Sequence, residues 1–332
     1  MGLSQGLLRK VAALRYLVTG GAGFIGSALT WQLTGDGHEV VVLDDLSRGT
    51  SRRLAGISGT KLQMISGDVR NPEHVRKAME GCDSVIHLAY VQGTQTFYEK
   101  PRYVLDVALN GMFSILDACQ YHGVREMVLV SSSEAYQVAD PVPTPETVRC
   151  IIPDTLNPRY SYGGGKLACE LMASAWLLDG VLQRLIIARP HNIYGPDMGR
   201  EHVIPQFAIR MAELDAREKH QIIRFPIQGS GMETRSFCHI SDCVDQLTLL
   251  LKSGDSGIYH VGNMEEKTIR EVACAVADVF GREITLVPGK LPEGSPPRRL
   301  PDTAKIGKLG CSPKVPFAEG IASAVNWYRT RG

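Results

Sequence analysis

Tyr162 and Lys166 stand four residues apart in the stretch Tyr162-Gly-Gly-Gly-Lys166. On a helix that spacing puts both side chains on one face. A phenol is a poor base at its free pKa of about 10. A neighbouring ammonium favours the phenolate, so such a pair can take a proton from a hydroxyl near neutral pH. The spacing alone is common by chance. It gains meaning from two companions: a glycine cluster near the N-terminus, and the run Ser131-Ser132-Ser133-Glu134 at the end of a predicted strand.

The glycine cluster is Gly20-Gly21-Ala22-Gly23-Phe24-Ile25-Gly26. Gly20, Gly23 and Gly26 keep a three-residue spacing between a predicted strand and a predicted helix. One glycine permits the tight turn, one lets backbone approach a pyrophosphate, and one lets helix pack close to strand. The helix N-terminus then offers free N–H groups and its positive dipole end to phosphate. Asp44 ends the second predicted strand, 18 residues after Gly26. A carboxylate there accepts hydrogen bonds from an adenosine ribose 2′-OH and repels a 2′-phosphate, which favours NAD over NADP. Arg48, close by, dilutes that preference. Asp68, after the third strand, reads as a loop cap or an adenine contact.

Short apolar runs alternating with helical patterns must position these residues. Strands are predicted at Arg15–Thr19, Glu39–Leu43, Lys61–Ser66, Ser84–Leu88, Glu126–Ser131 and Leu185–Ala188. Helices are predicted from the first glycines to Leu33 and over Val75–Glu80, Val104–Tyr121, Tyr162–Leu178 and Phe317–Tyr328. The alternation implies βαβ units and a parallel sheet with helices on both faces. Five prolines between residues 137 and 160 mark a loop. After Pro190 the alternation lapses. The expectation is an α/β fold: a Rossmann-type, doubly wound parallel sheet over residues 1–190, joined by part of 232–262. Residues 191–332 form mainly a smaller C-terminal, substrate-binding lobe.

The chain's 332 residues suit about two domains. Thirty-six basic against 35 acidic side chains leave a charge of +1, which disfavours a nucleic-acid or membrane-surface binder. Eight cysteines form no C-x-x-C pair, so reduced thiols in a cytoplasmic enzyme are expected, and no metal site. No apolar run approaches the ~18–20 residues of a membrane span. The first dozen residues read as a loose extension without signal-peptide features. Glycine, at 34 residues, exceeds the usual ~7%.

Several motifs together carry a resemblance: TGGAGFIG (Thr19–Gly26), GDV (Gly67–Val69), HLA (His87–Ala89), SSSEAY (Ser131–Tyr136), YGGGK (Tyr162–Lys166), RPHNIYGP (Arg189–Pro196), TRSFCHISD (Thr234–Asp242) and PRRLPD (Pro297–Asp302). From Arg15 to about Tyr328 the chain resembles the extended short-chain dehydrogenase/reductases, in particular NAD-dependent nucleotide-sugar epimerases, dehydratases and decarboxylases. The resemblance implies that Ser132 bonds the sugar O4 and relays its proton. It makes Tyr162 the base and Lys166 the residue that binds the nicotinamide ribose and lowers the Tyr162 pKa. With the three glycines, Asp44 and Asp68, it implies cofactor contacts from Phe24, Ile25, Val69, Leu88, Ala89 and Ser131. Asn192, Arg235 and one of Arg298 and Arg299 correspond to residues that hold the substrate diphosphate, and the segment at Phe225 to one that sandwiches the nucleobase. It also implies a homodimer built through the Tyr–Lys helix and the helix before it.

Three positions bear on the reaction and its pocket. The family's 4,6-dehydratases carry Asp-Glu where this chain has Ser133-Glu134, so their acid is missing. Glu134 also matches UDP-glucuronate decarboxylases, whose Arg-Arg-x-Pro-Asp tail this chain resembles; equally, Glu134 could orient its loop. Tyr90 replaces a small residue after HLA, and either narrows the sugar pocket or packs in the core. Gly163 to Gly165 thin the catalytic helix at ~1 kcal/mol each, which implies close approach of a substrate, loop or partner helix, or else a neutral site. The resulting expectation is an epimerase working through a 4-keto sugar, with dehydration or decarboxylation through Glu134 as the alternative. A non-catalytic NAD-binding protein fits less well, because the Ser–Tyr–Lys set is intact.

Overall fold

The computed structural model describes residues 13–137, 139–217, 222–291 and 295–331. The expected N-terminal extension lies outside the described residues. Six strands, β1 (Arg15–Thr19), β2 (Glu39–Asp44), β3 (Leu62–Ser66), β4 (Ser84–His87), β5 (Glu126–Val130) and β6 (Arg184–Pro190), join the strand Gly257–Val261 in one parallel sheet. Across the sheet the order is Gly257–Val261, β6, β5, β4, β1, β2, β3. The chain therefore winds outward from β1 to β3, then crosses to β4 and winds the other way. Such a reversal leaves a crevice at the carboxyl ends of the two central strands. There Thr19 and His87 are register partners and share a 2.7 Å hydrogen bond.

The strands are apolar on both faces, as a sheet covered on both sides requires. Leu17, Val41, Val85, Met127 and Leu185 face a layer with Val75, Met112 and Cys169 from the helices Pro72–Met79, Pro101–His122 and Tyr160–Leu178. Val18, Val42, Ile86, Val128 and Ile186 face Leu29 and Leu247 from the helices Phe24–Gly35 and Ile240–Ser253. A third apolar cluster joins Phe207, Phe225, Val272 and Val325 under the helices Val203–Arg217, Ile269–Val279 and Phe317–Arg331.

Every strand and helix expected before Pro190 is present, with ends displaced by at most a few residues. The part of 232–262 expected to join the sheet is one helix and one strand. Ile240–Ser253 and Gly257–Val261 return to the central sheet, the strand in register beside β6. A short helix, Thr94–Glu99, was not expected because six residues cannot display a helical period.

Candidate active site

The crevice opens into a cavity of about 790 Å³. Its dinucleotide end is the glycine turn. Gly20 has φ +69°, and a Cβ there would lie 2.8 Å from the Ala89 nitrogen. A Cβ on Gly26 would collide with the Gly20 carbonyl, so helix and strand approach as only glycine allows. No side chain caps the Phe24–Gly35 helix, and Gly23, Phe24, Ile25 and Gly26 all line the cavity. This is a cradle for a pyrophosphate at a helix N-terminus.

Asp44 is buried in the same wall and accepts from the backbone N–H of Ala22 at 2.9 Å and Leu46 at 2.8 Å. Burial raises its pKa, while those two hydrogen bonds favour the carboxylate. Asp44 thus also fastens the glycine turn to β2. Arg48, also on the wall, pairs with Glu201 at 3.3 Å. Asp68 lines the cavity, but its carboxylate is engaged by the backbone N–H of Arg70 at 2.8 Å and by the Arg70 guanidinium, which holds it below the usual carboxylate range. Those contacts cap the loop after β3. Val69, Leu88, Ala89 and Ser131 complete this part of the wall. Ser131 donates to Glu170, itself ion-paired with Arg189 at 2.5 Å inside the protein.

Tyr162, Lys166, Ser132 and Glu134 line the same cavity. The turn Ser133–Ala135 follows β5, and Ser132 Oγ caps it by accepting from the Glu134 N–H at 3.1 Å. Tyr162 is 4% exposed, its ring stacked on Phe97 at 4.7 Å and edged by Tyr90 at 5.1 Å. Burial pushes its phenol above the ordinary value; hydrogen bonds from Gln92 and Ser132 act in the opposite direction. Lys166 has two partners within the protein. Its Nζ donates to the Val130 carbonyl at 2.7 Å and sits 4.0 Å over the Tyr90 ring. The ammonium is therefore engaged with backbone and an aromatic face, and burial lowers it to about 8. Without the nicotinamide, burial is the largest influence on the Tyr162 phenol and raises it.

The proposed substrate residues separate. Asn192 lines the cavity with φ +41° and donates to the Ser236 carbonyl at 2.8 Å. Arg299 also lines it, paired with Glu134 at 2.5 Å. Burial pushes Glu134 up, but the Arg299 guanidinium outweighs it and the carboxyl lies below its ordinary range. Arg299 Nη2 is buried without a partner. Arg298 points elsewhere: it makes a two-pronged ion pair with Glu266 at 2.7 and 2.8 Å. Neighbouring residues on a strand face opposite sides, so only one of the two arginines reaches the cavity. Arg235 is the register partner of Arg299 on the neighbouring strand, donates to the Thr234 and Pro296 carbonyls at 2.7 and 2.8 Å, and is not on the cavity wall. Burial and the Arg299 charge lower it to about 10. Phe225 is fully buried against Phe207, 5.2 Å between ring centres, because its strand alternates inward and outward. It is a core residue here and does not line the cavity.

Tyr90 lines the cavity but turns its hydroxyl to the Tyr162 carbonyl, 3.2 Å away. That explains part of the glycine run. A Cβ at Gly165 would strike the Tyr90 hydroxyl, and one at Gly163 the Glu134 carbonyl and Gln137 amide. At Gly164 the nearest atom would be Ile152 Cδ1 at 3.7 Å, ordinary contact. The run thus marks close approach of a loop and a side chain within this chain.

Sequence reasoning missed Gln92, Phe97, Glu170 and Arg189. The last three fix groups already identified; Gln92 touches the Tyr162 hydroxyl oxygen itself. Only an alternation of polar residues after HLA marks it, which is no signal. Among the described residues no group of three or more His, Cys, Asp or Glu is placed to hold a metal ion. No helix among them is long and apolar enough to cross a membrane.

Residues 16–262 match the model of the NAD dependent epimerase/dehydratase family. UDP-glucuronic acid decarboxylase 1 of Xenopus tropicalis is 31% identical over 320 residues, 95% of this chain and 72% of its own. UDP-glucose 4-epimerase of Mycolicibacterium smegmatis is 31% identical over 331 residues, 96% of this chain and 99% of its own. Among solved structures, DesIV of Streptomyces venezuelae, a dTDP-glucose 4,6-dehydratase with NAD and TYD bound, matches with a TM-score of 0.83 and 30% identity, covering 96% of this chain and 97% of that one. With the glycine cradle, Asp44 and the Ser132–Tyr162–Lys166 set in one crevice, the chain belongs to the NAD-dependent epimerase/dehydratase family of nucleotide-sugar enzymes.

Proposed function

We propose that this enzyme oxidises a nucleotide-diphosphate sugar transiently at C4 and returns the 4-keto sugar as its epimer. The observation that carries the reading is Tyr162: it lines the same cavity as the glycine cradle, with its hydroxyl beside Ser132. NAD, when bound in the cradle, supplies the hydride acceptor and positive charge that favours a phenolate. Gly20, Gly23, Phe24, Ile25 and Gly26 hold its pyrophosphate, and Asp44 its adenosine ribose. Val69, Leu88, Ala89 and Ser131 line its path, and Asp68 contributes through the turn it caps. Tyr162 takes the O4 proton, directly or through the Ser132 hydroxyl. Lys166 binds the nicotinamide ribose. Asn192 and Arg299 face the substrate, with Arg235 beside Arg299 on the neighbouring strand. Giving the electrons back to the opposite face needs no further group, so this set is complete for epimerisation.

Decarboxylation of a nucleotide hexuronate is the second reading, and one contact favours it: the Glu134–Arg299 ion pair beside Ser132. The unpartnered Arg299 Nη2 is a donor for a sugar carboxylate. A 4-keto uronate is a β-keto acid and loses carbon dioxide readily. Dehydration is less well served, because Ser133 cannot deliver a proton as a carboxylic acid does.

The enzyme acts as a homodimer in this reading. Leu105, Phe113, Leu171 and Leu178 are exposed on the paired helices Pro101–His122 and Tyr160–Leu178 and offer apolar side chains to a second copy.

Mass spectrometry of products from a panel of nucleotide sugars and nucleotide uronates tests the assignment. An unchanged mass with altered chromatography supports epimerisation; loss of carbon dioxide supports the second reading. Stoichiometric accumulation of NADH, read near 340 nm, contradicts both.

A further inference from the structure

Gln92 lies between β4 and the Thr94–Glu99 helix, on the cavity wall. Its Nε2 donates to Tyr162 Oη at 3.1 Å. The direction of this bond matters. An amide N–H can only donate, so the phenol oxygen accepts, and any proton it carries must point to another acceptor such as Ser132 or a substrate hydroxyl. The Tyr162 ring is clamped between Phe97 and Tyr90, which leaves the oxygen's hydrogen bonds to decide where its lone pairs aim.

The backbone fixes where Gln92 is delivered. Gly93 has φ +123°, and a Cβ there would strike the Glu201 carboxylate. The loop therefore turns sharply just after Gln92, and only glycine fits that turn.

The need for such a donor follows from the surroundings. Burial disfavours the phenolate of Tyr162, and the nearby ammonium of Lys166 is already engaged by the Val130 carbonyl and the Tyr90 ring. A donated N–H stabilises an anionic oxygen more than a neutral one.

We propose that Gln92 is a positioning residue acting through Tyr162: its amide holds the phenol oxygen as an acceptor, aims it at the substrate hydroxyl and stabilises the phenolate that takes the proton. This rests on the assignment of Tyr162 as the base.

The test is a pH titration of the Tyr162 ring in NAD-saturated enzyme carrying tyrosine labelled with carbon-13 at Cζ. The resonance is assigned by its loss in Tyr162→Phe. Gln92→Leu removes the donor, and its titration midpoint rises by about one pH unit or more. Gln92→Glu places a carboxylate beside the phenolate, and its midpoint rises further than that of the leucine variant. A merely structural Gln92 would not produce this order. A midpoint in Gln92→Leu equal to that of the parent overturns the proposal, whatever the glutamate variant does. Turnover retained in Tyr162→Phe would instead overturn the assignment of the base, so the two failures are distinguishable.

Discussion

Arg299 Nη1 donates to Glu134 Oε1 at 2.5 Å, joining the C-terminal stretch of the chain to the turn that carries Ser132. Both side chains are shielded, with 11% and 27% of their surfaces exposed, so the pair is screened less than a surface ion pair. It ties two segments far apart in sequence across the mouth of the reaction site. Its charge balance sets how the site responds to acid.

Arg299→Met strands the Glu134 carboxylate. The folded-state pKa of Glu134 is depressed below its ordinary 4.5, so its contribution to stability is present above that value and is lost as pH falls through the lowered one. The variant is expected to lose about 1–3 kcal/mol near neutral pH, with the gap to the parent closing in acid. Urea unfolding at about pH 7 and about pH 3 reads this. A gap independent of pH would mean that packing, and not charge, is the contribution of Arg299.

The glycines of the catalytic helix should differ from one another. Gly164→Ala meets only Ile152 at 3.7 Å, so it should stabilise the protein by about 0.5–1 kcal/mol. Gly165→Ala drives its methyl into the Tyr90 hydroxyl and should destabilise by about 1–3 kcal/mol. Adding Tyr90→Phe removes that hydroxyl and should recover much of the loss. Thermal unfolding of the three variants decides; equal effects at positions 164 and 165 would contradict the packing described.

Asp44→Asn should weaken NAD binding by about 10- to 100-fold, since a charged acceptor is exchanged for a neutral one. It should also narrow the preference over NADP, because the charge that repels a 2′-phosphate is gone. Calorimetric titration with both nucleotides reads the two affinities. An unchanged ratio would show that Arg48 and its neighbours, not Asp44, select the cofactor.

Phe113→Glu combined with Leu171→Glu places charges on the exposed faces of the two paired helices. Sedimentation velocity should find the parent a dimer and the double variant a monomer, with NAD binding retained in both. A parent that sediments as a monomer at micromolar concentration would remove the homodimer from the account.

Much of the first half of the fold was legible because each element there carries its own period. β1 to β6 are short β-branched runs, and the glycine turn has a spacing that serves one geometry. Gly257–Val261 was only partly anticipated, since five residues after an irregular stretch do not reveal which sheet they join. At the site, the residues with fixed spacing came together: Gly20, Gly23, Gly26, Asp44, Ser132, Tyr162 and Lys166 share one cavity. Residues assigned through looser segments divided. Arg299 reaches the cavity while Arg298 pairs with Glu266, and Phe225 packs inward, because strand alternation and not residue type decides which way a side chain points. The Tyr162–Lys166 pairing was read correctly as one helix face, but helix spacing does not determine what an ammonium touches. The Val130 carbonyl and the Tyr90 ring compete for it, and neither is near Lys166 in sequence.

In the proposed reaction Tyr162 removes a sugar hydroxyl proton so that C4 can be oxidised. Turnover of the accepted nucleotide sugar by the parent and by Tyr162→Phe, followed by product chromatography and mass spectrometry, tests it most directly. The variant is expected to lose about 100- to 10,000-fold in turnover, with NAD affinity and thermal stability close to those of the parent. Turnover by the phenylalanine variant at the parent's rate would contradict it.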